Sequence, residues 1–383
     1  MAIDRRVQNN VCVVTFPLEA AASSPILNLV KILRPRTKSL YVISGGETDQ
    51  MFQAKGMKNV ASVTHRSYES PIKRAVSFAL TNFQFLVRVI ALRKRVGLFV
   101  FFIGGENLLI PMLGARLLGV KTLLMPAGDA GKVYMSSGDS LGKVLSVLTA
   151  CSFFLADTLV LYSENTIVGI PLERYRHKIV IGHEGFIDFN RFSPTTSIAF
   201  GRQMVGFVGR LDKEKGILNL IHAIPMVLDK VPAEFVICGD GSLRRDVIDF
   251  LSSRELLPNV RIEGWINHEV LPRYFNEFRL LVLPSYTEGL PNVALEAMAC
   301  GTPVLMTKVG ALAEMATDGK EIFFLDSNDP QVIADSITSV LTDPSRLQQV
   351  SDAALNFVRT KFGYRSTSQA WDSLLPTLGI DGD

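Results

Sequence analysis

A short apolar run, Leu280-Leu281-Val282-Leu283-Pro284, is followed by Pro291 and then by Gly301-Thr302-Pro303-Val304. A run of this length with no polar face is what a parallel strand buried on both sides requires. Proline suits the first turn of a helix, where its missing N–H goes unused, so a helix is expected to begin with Pro291 in its first turn. Gly301 suits the left-handed position just past a helix end, and Pro303 forbids continuation. The local chain therefore reads strand, loop, short helix, strand, with Glu288 in the loop and Glu296 in the second helical turn. The amides at a helix start attract an anion, most often phosphate. Two carboxylates beside a phosphate are stable only if hydroxyls donate to them, as a ribose or hexose would. The plainer alternative is a capping acid at Glu288 and a solvated helix-face acid at Glu296.

The same alternation runs through the chain. Strand-like runs are expected at Val11–Phe16, Leu40–Ser44, Val60–Thr64, Leu98–Phe102, Thr122–Pro126, Thr158–Ser163 and Lys178–Ile181. A second series follows at Met204–Gly209, Glu234–Gly239, Val260–Glu263, Leu280–Pro284, Pro303–Thr307 and Ile322–Leu325. Strands separated by helices form parallel sheets with right-handed crossovers. The fold class is α/β, with two Rossmann-like domains whose parallel sheets face a central cleft. The domains are expected at residues 1–188 and 189–364, with a C-terminal helix at about 365–383 packing back on the first. Pro225 interrupts the apolar face of the helix after Gly216 and is expected to kink it.

With 48% hydrophobic and 20% charged residues, the 383-residue chain supports two packed cores and leaves no room for long disorder. Cys12, Cys151, Cys238 and Cys300 are scattered among apolar neighbours, which reads as four reduced, buried thiols in a cytosolic protein. The opening residues give no signal peptide, because the apolar run from Val11 is short and strand-like. No segment makes a clean transmembrane helix; Val144–Tyr162 comes nearest but is interrupted by Asp157.

Charge is divided unevenly. Residues 1–190 hold 22 Lys+Arg against 13 Asp+Glu, a net of +9, and the remainder holds 18 against 24, a net of −6. No recognition motif or aromatic platform accompanies the basic half, so nucleic acid is not the expected partner. An anionic membrane surface fits better, at the cytoplasmic face. Phe78, Phe83, Phe85, Leu86, Val89 and Ile90 lie among Lys73, Arg74, Arg88 and Arg93-Lys94-Arg95, as in a helix resting on lipid. The alternative is a helix packed inside the domain with its basic end solvated.

At the first strand-to-helix turn of the second half stands Gly206-Phe207-Val208-Gly209-Arg210-Leu211-Asp212-Lys213-Glu214-Lys215-Gly216. It lacks the spacing of a dinucleotide fingerprint. It offers Arg210 and Lys215 instead, a forked donor and a point charge suited to a diphosphate. Together with Gly239-Asp240-Gly241, Arg244, Val260-Arg261-Ile262-Glu263-Gly264, Pro284-Ser285, the Glu288/Glu296 pair, Gly301-Thr302-Pro303-Val304, Gly310 and Glu314, this ordered set resembles the nucleotide-binding domain of family-4 retaining glycosyltransferases, which have the GT-B fold.

The resemblance implies roles. Arg210 and Lys215 would bind the donor diphosphate and stabilise it as it leaves. Glu288 would hold hydroxyls of the transferred sugar, Gly209 and the amides of Gly289, Leu290, Pro291 and Asn292 would border the phosphates, and Glu296 would take the ribose diol. The backbone around Trp265-Ile266 would line the base pocket, with Ile266 in contact. Many members have a glycine-rich loop after the first strand, whereas Pro17–Pro25 has no glycine. Many also place a His after the fifth strand, where this chain has Pro126-Ala127-Gly128-Asp129-Ala130-Gly131 and Asp129 is the expected substitute. His65 and His183 are further polar candidates, more often structural than catalytic.

The expected activity is retaining transfer of a hexose-type sugar from a UDP- or GDP-sugar, with no metal or other cofactor. The donor binds the second domain. The first takes a glycan or lipid-linked acceptor. A sugar-nucleotide epimerase, a phosphorylase, a catalytically silent sugar-nucleotide-binding subunit and an NAD-dependent dehydrogenase are the competing readings.

Overall fold

The computed structural model describes residues 9–17, 23–54, 57, 59–66, 68, 70–126, 141–163, 172–195, 203–378 and 380. The chain divides into two compact units, Met1–Gly185 with Thr367–Asp383, and Phe186–Ser366.

The first unit is built on one parallel sheet. Its strands are β1 (Asn10–Val14), β2 (Ser39–Ser44), β3 (Val60–Ser62), β4 (Leu98–Phe102), β5 (Lys121–Met125), β6 (Thr158–Leu161) and β7 (Ile179–Ile181), in the spatial order β3-β2-β1-β4-β5-β6-β7. Its helices are α1 (Ser23–Leu33), α2 (Glu47–Ala54), α3 (Pro71–Leu92), α4 (Leu109–Leu117) and α5 (Leu141–Leu155). Every residue of β1 and β4 is buried; β4 is apolar throughout, as a central parallel strand demands, and β1 opens on Asn10, whose Nδ2 donates to the Arg95 carbonyl at 2.8 Å. Phe85 and Val89 of α3, Met112 and Ala115 of α4 and Phe153 of α5 close over one sheet face. The chain after β1 is approached closely by the loop that follows β4. A Cβ on Gly104, at φ +75°, would lie 2.7 Å from Cβ of Phe16.

The second unit has β8 (Met204–Val208), β9 (Glu234–Cys238), β10 (Val260–Gly264), β11 (Leu280–Leu283), β12 (Val304–Thr307) and β13 (Phe323–Leu325), all parallel, in the order β10-β9-β8-β11-β12-β13. The helices are α6 (Ile217–Leu228), α7 (Arg244–Ser253), α8 (Leu271–Glu277), α9 (Asn292–Ala299), α10 (Leu312–Met315), α11 (Pro330–Thr342) and α12 (Pro344–Lys361). A last helix, α13 (Tyr364–Leu374), belongs to the first unit from Thr367 onward. Each strand overlaps an expected run, because buried apolar runs are encoded locally. In both sheets the order reverses beside the first strand, between β1 and β4 and between β8 and β11. Ligands of open parallel sheets bind at such switch points, beyond the carboxyl ends of the strands.

Three expectations need correction or refinement. Cys12, Cys238 and Cys300 are buried thiols, but Cys151 is exposed on α5. A helical period leaves one face outward whatever the composition of its neighbours. Pro225 sits in the last turn of α6, so the interruption falls where the helix is already ending. Finally, Ile72–Leu92 of α3 is long and apolar enough, by length and composition, to cross a membrane. Val144–Tyr162 is therefore not the nearest candidate, and one face of α3 packs into the core through Phe85 and Val89.

Candidate functional site

The site grows from the carboxyl edge of the second sheet. β8 is buried throughout, so the chain leaves the sheet at Gly209 and the polar residues follow at once. Gly239, at the end of β9, has φ +152°, and a Cβ there would lie 1.8 Å from the carbonyl oxygen of Gly209. The two turns are thus pressed backbone to backbone. Leu211 N–H donates to the Asp240 carbonyl at 2.9 Å, and Leu243 N–H to the Leu211 carbonyl at 2.8 Å. This latch fixes Arg210 at the sheet edge, where its side chain stays about half exposed.

Arg210 is held by two acids of its own turn. Nη1 donates to Oδ2 of Asp212 at 2.9 Å, and Nη2 to Oε1 of Glu214. Burial opposes ionisation of Asp212, but its carboxyl is held below the usual range by hydrogen bonds from the Ser242 hydroxyl and N–H, with Arg210 and Lys215 adding attraction. Asp212 and Glu214 were not singled out in the sequence. Their spacing of two and four residues from Arg210 was the available signal.

Lys215 ends a short 3₁₀ turn (Lys213–Lys215) and reaches the loop after β11. Its Nζ donates to Oε1 of Glu288 at 2.8 Å, with both side chains largely buried. Two neighbours hold that loop. Tyr286 N–H donates to the Glu214 carbonyl at 2.8 Å, and Ala311 N–H to the Gly289 carbonyl at 2.8 Å. Gly310, at φ +73°, permits this, since a Cβ there would lie 2.9 Å from Cβ of Glu288. The close pairing of a lysine with a carboxylate matters for any anion bound nearby. Without Lys215, Glu288 would repel it.

Beyond the loop, Pro291 is the N-cap of α9 rather than its first helical residue, with ψ +88° outside the helical range. The helix ends as expected, with Gly301 at φ +80° just past the cap Cys300. Glu296 is buried, and its Oε1 lies 2.7 Å from Nε2 of His268. His268 follows Trp265-Ile266 at the end of β10, and its ring packs on Phe192 at 5.5 Å. Sequence reasoning missed it, although its place at a strand's carboxyl end was readable. A carboxylate accepts several hydrogen bonds, so His268 can orient Glu296 and leave acceptor capacity for a diol.

The predicted residues therefore gather along one edge. Gly209, Arg210 and Lys215 follow β8, Glu288, Gly289, Leu290, Pro291 and Asn292 follow β11, and half-buried Ile266 follows β10. Asp129 lies outside the described residues. In the first unit, His65 Nδ1 is 2.8 Å from Thr81 Oγ1 and its ring meets Phe16 edge-on, while His183 Nδ1 is 3.1 Å from the Gly185 carbonyl. Burial lowers the pKa of both. That unit also buries Glu184, which accepts a hydrogen bond from the Tyr162 hydroxyl at 3.0 Å. Among the described residues, no group of three or more His, Cys, Asp or Glu side chains could hold a metal ion.

Two parallel α/β units, each with its switch point beside the first strand, define a GT-B fold. Solved structures with that fold include HepE of Anabaena in complex with UDP and glucose, with TM-score 0.74 and 17% identity, covering 96% of this chain and 99% of that one. Sucrose-phosphate synthase of Thermosynechococcus elongatus matches with TM-score 0.73 and 19% identity, covering 97% and 99%. Residues 189–357, which carry the site, match the family model described as Glycosyl transferases group 1. An uncharacterised glycosyltransferase of Methanocaldococcus jannaschii is 31% identical over 196 residues, 51% of this chain and 48% of its own length. A D-inositol 3-phosphate glycosyltransferase of Corynebacterium jeikeium is 29% identical over 218 residues, 51% and 52%. The chain spans about half the length of the curated relatives it matches.

Proposed function

We propose that the chain is a retaining glycosyltransferase of the family-4 type, moving a hexose-type sugar from a UDP- or GDP-sugar to a glycan or lipid-linked acceptor. The observation that carries this reading is the Lys215–Glu288 pair, 2.8 Å apart at the β8/β11 switch point and just ahead of the start of α9. A helix start and a lysine favour a diphosphate. A carboxylate beside them favours a hydroxylated group attached to it. HepE, solved with UDP-glucose bound, supports uracil as the first base to test.

In this reading the bond from the anomeric carbon to the diphosphate oxygen breaks while the acceptor oxygen bonds to the same face. The acceptor proton passes to the departing phosphate. Lys215 and the outward-facing donors of Arg210 meet the charge that develops on the leaving group, and Glu288 orients sugar hydroxyls. Glu296, steadied by His268, takes the ribose diol, and Ile266 borders the base. Asp129 is the proposed acceptor-side group, in the first unit.

Calorimetric titration with UDP, GDP, ADP and their sugar conjugates tests the donor site. One nucleotide family should bind, and Glu296→Ala should weaken it about tenfold or more, as loss of a charge-assisted hydrogen bond predicts. Lys215→Ala should lower kcat/KM on the order of 10²–10³. Absence of binding by every nucleotide would remove the reading.

A further inference from the structure

The longest helix of the first unit carries an apolar face that nothing in the described protein covers. Ile72, Val76, Leu80, Phe83, Val87 and Ile90 of α3 are exposed, from 39% at Ile90 to 78% at Ile72. Their spacings of three and four residues place them in one stripe, about 27 Å long from Ile72 to Ile90. Chance exposure of single apolar residues is ordinary, but a continuous stripe of this size marks a binding surface. α4 adds exposed Ile110, Leu113 and Leu117, and it packs directly against α3.

Charge identifies the occupant. No acidic residue lies between Pro71 and Arg95, while Lys73 and Arg74 sit at one end and Arg88, Arg93, Lys94 and Arg95 at the other. A second copy of this chain would set cations against cations in either a parallel or an antiparallel pairing. An anionic lipid surface matches both the apolar middle and the basic ends. The helix is seated for lying in that plane rather than crossing it. Its opposite face holds Phe85 and Val89 in the core, and Asn82 Nδ2 donates to the Asn107 carbonyl at 3.4 Å.

We propose that the exposed face of α3 docks the protein on an anionic bilayer, inserting the Ile72–Ile90 stripe at the headgroup boundary with the flanking cations on lipid phosphates. This does not rest on the transferase reading.

Sedimentation of the full chain with vesicles of phosphatidylcholine, with and without 30% phosphatidylglycerol, tests it. Partitioning to the anionic vesicles should exceed that to neutral ones by at least about tenfold. It should weaken as salt rises. Leu80→Ser with Phe83→Ser should lower it at least about tenfold, from lost apolar burial. Arg93→Ser, Lys94→Ser and Arg95→Ser together should remove most of the preference for the anionic lipid, at about fivefold per cation. All five positions are exposed, and unchanged circular dichroism and thermal unfolding would show the variants folded. Equal partitioning to both vesicle types, no partitioning, or indifference to the Leu80/Phe83 pair would overturn the proposal. So would a dimer in analytical ultracentrifugation that the same pair dissolves.

Discussion

Glu184 is a carboxyl that the first unit keeps from water. Burial is the main cause that raises its pKa from 4.5 to about 7, with the Tyr162 hydroxyl giving back part of the lost stabilisation. The folded protein then binds this proton more tightly than the unfolded chain does. The contribution of this group to stability is therefore greatest below about pH 4.5 and falls as pH rises to about 7, by on the order of 3 kcal/mol. Glu184→Gln should abolish that slope. Urea denaturation at pH 5, 6, 7 and 8 checks it, and a constant difference between wild type and variant would sink the idea. Other single residues show how far sequence reaches at this scale. Arg210, Lys215, Glu288 and Glu296 were legible because their types and spacing state a chemistry. Their partners were not. Glu288 lies 73 residues from Lys215, and His268 meets Glu296 only because the loop after β10 reaches helix α9.

Elements were more legible than pairs. Strands such as β4 and β11 are apolar at every position, and a buried parallel strand needs nothing further. β4 ends where its run ends, whereas β1, β3 and β6 stop two residues short of theirs, because the side-chain pattern continues into the turn while the hydrogen-bonded ladder stops. Pro291 shows the same limit, since it can serve equally as N-cap or first helical residue and only the backbone angle decides. The contact between the β8 and β9 turns is a tighter constraint. Gly239→Ala would put a methyl group 1.8 Å from the Gly209 carbonyl oxygen. Something must then shift, and the strain is on the order of 2–3 kcal/mol. The expected result is a thermal midpoint lowered by about 5 °C or more, together with weakening of the proposed nucleotide binding because Arg210 rides on that turn. A variant as stable and as tight-binding as wild type would show that the two turns do not support one another. On α3, the packed alternative holds for one face only, and the other face is exposed. Phe85 and Val89 are core, whereas Phe83 and Ile90 are exposed.

At the scale of the whole molecule, the chain's end completes its beginning. Trp371 is buried in the first unit, with Nε1 donating to the His183 carbonyl at 2.9 Å. Arg36 Nε meets Asp372 at 2.6 Å, and its Nη2 donates to the Ser368 carbonyl at 2.9 Å. Trp371→Ala should destabilise the first unit by about 3–5 kcal/mol and leave the nucleotide binding proposed for the second unchanged. Denaturation followed by circular dichroism, run beside a nucleotide titration, would show it. A loss under about 1 kcal/mol would mean the tail contributes little to that unit. The sequence by itself determined the alternation of strands and helices, the two series of them and the residue types that gather at the edge of the second sheet. Each of these is written in neighbouring residues, through apolar runs, helical period and the fixed preferences of proline and glycine. Only the tertiary structure decided which charges pair, which cysteine is exposed and which side of α3 faces outward. Burial and pairing depend on which distant segments the sheet order brings to one edge, and no local stretch of sequence carries that information.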